Sequence, residues 1–73
     1  TMELLEVKHK QALSREEAAK LLHQIADAMA KQNSLHFSRD GLKFAVNIAD
    51  QVDMEIELEV EDDGSSLEIE IKW

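Results

Sequence analysis

Carboxylates at every second position are the chemistry this chain offers. Glu55, Glu57, Glu59 and Glu61 alternate with Met54, Ile56, Leu58 and Val60, and Glu68 and Glu70 alternate with Leu67, Ile69 and Ile71. Period-two alternation gives each arm one apolar and one charged face. With Asp63 and Gly64 as central turn residues, the expected apolar pairs are Val60/Leu67, Leu58/Ile69, Ile56/Ile71 and Met54/Trp73. The other face then sets Glu61 against Ser66, Glu59 against Glu68, Glu57 against Glu70 and Glu55 against Lys72. Each Glu/Glu pair costs on the order of 0.2 to 1 kcal/mol. Close carboxylates raise one another's pKa and can share a divalent cation. Side by side on a sheet, however, they do not converge on an ion as a loop does, and a solvated face offset by Lys8, Lys10 and Lys43 is the plainer reading.

The remaining reactive types are scattered. His23 and Asp27 share an i, i+4 spacing that can bind a metal, but on the polar side of a helix solvation accounts for them. His9 is expected to point inward near a strand end and His36 outward, both as structural histidines. Ser14 is used as a helix cap, Ser34, Ser38, Ser65 and Ser66 fall near turns, and Asp62 and Asp63 are turn formers. The Asp50–Glu55 run lacks the spacing and glycine of an EF-hand. As the cross-strand partner of Met54, Trp73 reads as a partly buried cap on the core; at an exposed rim it would anchor a partner or a second copy. Nucleobase stacking would want a basic surround, and this one is acidic.

The formal charge of −8 is unevenly distributed. Residues 1–49 hold seven Lys/Arg against six Asp/Glu, and residues 50–73 hold one Lys against ten Asp/Glu. That segregation argues against nucleic acid and for a basic protein partner. Cysteine is absent, which removes disulfides and thiolate metal sites and fits a reducing compartment. No basic start precedes an apolar run, and no apolar stretch approaches the roughly 20 residues of a membrane span. The expectation is a cytoplasmic protein, off the membrane, without cofactors, and a monomer or weak homodimer.

Five strands and one helix are expected to carry these groups in a single domain over residues 1–73. Residues 3–10 read as a first strand, with Leu5 and Val7 on one face. Ser14 and Glu17 form a capping box, with Leu13 as the outer half of a hydrophobic staple. From Arg15 to about Gln32, the set Ala18, Leu21, Leu22, Ile25, Ala26 and Met29 makes one helical stripe, with Glu16/Lys20 and Asp27/Lys31 as polar-face pairs. Asn33 is placed as a left-handed stop. Asp40-Gly41 is a type I′ turn signal that sets Arg39 opposite Leu42, Phe37 opposite Phe44 and Leu35 opposite Val46. A short loop at 50–52 would join the two hairpins into a meander, with Val46 opposite Ile56 and Lys43 opposite Glu59. Docking the first strand on the last gives an α+β, β-α-β-β-β-β fold: a five-stranded, mainly antiparallel sheet of order 2-3-4-5-1 with the helix on one face.

On these residues the chain resembles the amphi-Trp domain family, whose final amphipathic strand ends in Trp. The resemblance rests on Leu13-Ser14-Arg15-Glu16-Glu17-Ala18-Ala19, Ser38-Arg39-Asp40-Gly41-Leu42, and Met54 to Glu61 followed by Ser66 to Trp73. It covers nearly the whole chain and implies a fold. The family has no established biochemical activity, so no catalytic residues carry over.

The functional expectation is a non-catalytic interaction module. Its acidic face, built from Glu55, Glu57, Glu59, Glu68 and Glu70 with Trp73 at the end, would receive a basic protein. The alternative is a metal-dependent or small-ligand-binding enzyme using that carboxylate patch with His36. A third possibility is homodimerisation through the exposed edge of the second strand.

Overall fold

Ser14 starts the first regular element. In the computed structural model, which describes residues 5–73, helix α1 (Arg15–Gln32) opens where the Ser14 hydroxyl accepts from the Glu17 backbone N–H at 3.1 Å. The Ser14 hydroxyl also meets the Glu17 carboxylate at 3.0 Å, so the return arm of the cap closes on the side chain of Ser14. Glu16 and Glu17 in the first turn and Lys31 in the last complement the helix dipole. Asn33, left-handed at φ 56° and ψ 23°, ends the helix as its type predicts.

Strands β1 (Ser34–Arg39) and β2 (Leu42–Asn47) follow as an antiparallel hairpin. Asp40 and Gly41 both take positive φ, 53° and 78°, as a type I′ turn requires. The resulting register pairs Arg39 with Leu42, Phe37 with Phe44 and Leu35 with Val46. The Arg39 guanidinium lies 5.9 Å from the Phe44 ring centroid, diagonally across the strands.

Strands β3 (Asp53–Glu61) and β4 (Gly64–Lys72) form the second hairpin. Here the turn differs from the expected one. Asp62 and Asp63 are its central residues, and neither takes positive φ. That excludes types I′, II and II′ and fits type I, in which Asp is well suited and Gly is favoured at the fourth position, where Gly64 stands. The register therefore slips by two residues to Leu58/Leu67, Ile56/Ile69 and Met54/Ile71, with Val60 facing Ser65. An even slip leaves every side chain on its expected face.

The five-stranded sheet of order 2-3-4-5-1 is not formed. The described residues make two separate two-stranded sheets, β1-β2 and β3-β4. Residues 5–14 have no regular structure, and the expected first strand's residues 3 and 4 lie outside the described residues. Two alternating apolar residues, Leu5 and Val7, are too few to hold a charged segment on a sheet edge. The meander fails at residues 48–52, none of which takes the positive φ that tight and bulged hairpin loops use. Ile48 instead donates its N–H to the Asn33 carbonyl at 2.8 Å, which extends the first hairpin rather than turning toward β3. Strand β3 thus stands free of β2.

The two hairpins are tied at one point. Trp73 donates its indole N–H to the Asn47 carbonyl at 2.9 Å, joining the end of β4 to the end of β2. Helix α1 packs against β1, and Arg39 reaches back to the Glu6 carbonyl at 2.8 Å. No apolar side chain among the described residues is buried; Ser34, 8% exposed, is the one buried residue. The radius of gyration is 14.4 Å, against about 11 Å for a close-packed chain of this length.

Candidate functional site

The acidic face of the second hairpin is built by alternation alone. Its observed pairs are Asp53/Lys72, Glu55/Glu70, Glu57/Glu68, Glu59/Ser66 and Glu61/Gly64. Two like-charge pairs are present, as the alternation demands, but their partners are exchanged relative to the expected Glu59/Glu68 and Glu57/Glu70. Being adjacent on one face, the two pairs bring four carboxylates together: Glu55, Glu57, Glu68 and Glu70 line a shallow cleft of about 80 Å³. The anticipated counter-ions lie elsewhere. Lys43 pairs with Ser38 in the first hairpin, and the ion pairs of the described residues are Arg15–Glu16 and Lys72–Glu70, both 3.2 Å. Lys72 is thus the one cation within the ladder, and it is held beside Glu70. The helix pairs Glu16/Lys20 and Asp27/Lys31 do not close.

Farther toward the turn, Glu59 has its pKa raised, first by a side-chain hydrogen bond with Glu61 and then by slight desolvation. A proton shared between two carboxylates relieves their repulsion. Glu61, two residues on and on the same face, belongs to the ladder although the sequence reading leaves it out of the candidate set. Period-two spacing is the signal that includes it.

His36 does not join this face. It lines a separate depression with Phe37, Ser38 and Lys43, and its Nε2 lies 3.3 Å from the Ser34 hydroxyl. Among the described residues no group of three His, Asp or Glu is placed to hold a metal ion. Trp73 lies beyond the last ladder pair and does not face Met54, whose partner is Ile71. It remains 51% exposed, with its N–H committed to Asn47. That acceptor is a backbone carbonyl on another hairpin, for which the sequence carries no signal.

The reverse face of the same hairpin is apolar. Met54, Ile69 and Ile71 form one wall of a groove of about 490 Å³, and Leu22, Ile25 and Met29 of α1, with two alanines, form the other.

One helix and two hairpins, the second amphipathic and closed by a tryptophan, define a small α+β module. The chain belongs to the Amphi-Trp domain family, whose model matches residues 1–73. It matches no curated protein and no solved structure.

Proposed function

We propose that this chain is a non-catalytic interaction module whose acidic hairpin face receives a basic surface of another protein. The observation that supports the reading is the Glu55/Glu70 and Glu57/Glu68 double pair. Four carboxylates held side by side repel one another, and a Lys/Arg-rich surface relieves that repulsion on binding. The face is open and shallow, which suits a protein surface better than an enclosed small molecule. Glu59 extends the charge toward the turn, and the exposed ring of Trp73 flanks it at the other end, where an arginine of the partner can stack.

The test is an NMR titration with a Lys/Arg-rich peptide at low salt. Amide shifts are expected at Glu55, Glu57, Glu59, Glu68 and Glu70. Raising the ionic strength from about 0.01 to 0.15 M shortens the Debye length from roughly 30 to 8 Å and is expected to weaken binding at least tenfold. Glu57→Gln with Glu68→Gln should weaken it further. Shifts confined to α1, or none, overturn the reading.

A further inference from the structure

We draw no further inference here: the strongest candidate, the apolar groove between helix α1 and the β3-β4 hairpin, walled by Leu22, Ile25 and Met29 on one side and Met54, Ile69 and Ile71 on the other, carries none, because nothing in the structure shows what covers it.

Discussion

Glu59 and Glu61 show how alternation turns into acid–base behaviour. Their side chains project from one strand to one face two residues apart, so a proton bridging them is held more tightly than in the unfolded chain. A carboxyl whose pKa is raised on folding binds more protons in the folded state. Its contribution favours the folded state at low pH and is lost as pH rises from the ordinary glutamate range through the raised value. In a 13C titration of side-chain carboxyls, Glu59 should titrate above a glutamate in an unfolded peptide. Glu61→Ala should return its midpoint toward the ordinary value. A midpoint that stays in place would show that Glu61 is not the cause.

At the scale of elements, the two hairpins use glycine for different reasons. Gly41 sits at φ 78° inside a type I′ turn, and a side chain there is strained although the space around it is open. Gly64 lies outside the positive-φ region, with nothing within 4 Å of a Cβ. Gly41→Ala should therefore destabilise the fold by about 1 kcal/mol or slightly more, while Gly64→Ala should be neutral or stabilising by up to about 1 kcal/mol. Urea unfolding of both variants checks the pair, and equal losses would contradict the turn assignment.

These turns also mark what could be read in advance. The Ser14 cap, the Asn33 stop and the first hairpin's register follow from short-range chemistry, and each was legible. In the second hairpin two turn signals overlap: Asp63-Gly64 invites a type I′ turn, and Asp62-Asp63-Gly64 a type I turn with glycine fourth. The second prevails. The faces were legible because both alternatives share them, but the identity of the facing glutamates was not.

For the molecule as a whole, long-range association was the unreadable part. The expected five-stranded sheet required residues 48–52 to reverse the chain tightly, and alternation in the flanking strands carries no information about whether they do. The hydrogen bond from Trp73 to the Asn47 carbonyl supplies a link that no periodicity announces. Trp73→Phe keeps an aromatic ring and removes that donor, so it should cost about 0.5 to 1.5 kcal/mol, measured by urea unfolding followed by far-UV circular dichroism. Because the bond joins two hairpins, the amides of Asn47 and Lys72 should lose hydrogen-exchange protection together. Loss at only one of them would show that the hairpins are not coupled there.

The two-residue slip of the second hairpin has a consequence for how such a chain can change over evolutionary time. Its faces are protected by parity. Gaining or losing two residues at the Asp62-Asp63 turn re-pairs the strands, glutamate still beside glutamate and isoleucine beside leucine. With the loop kept at two residues, gaining or losing one residue sets the two arms out of phase, so that glutamates of one strand meet the greasy side of the other. A lineage carrying this hairpin is thus free to vary its turn in even steps and keeps its faces through an odd one only where the loop itself lengthens, whichever partners those faces acquire.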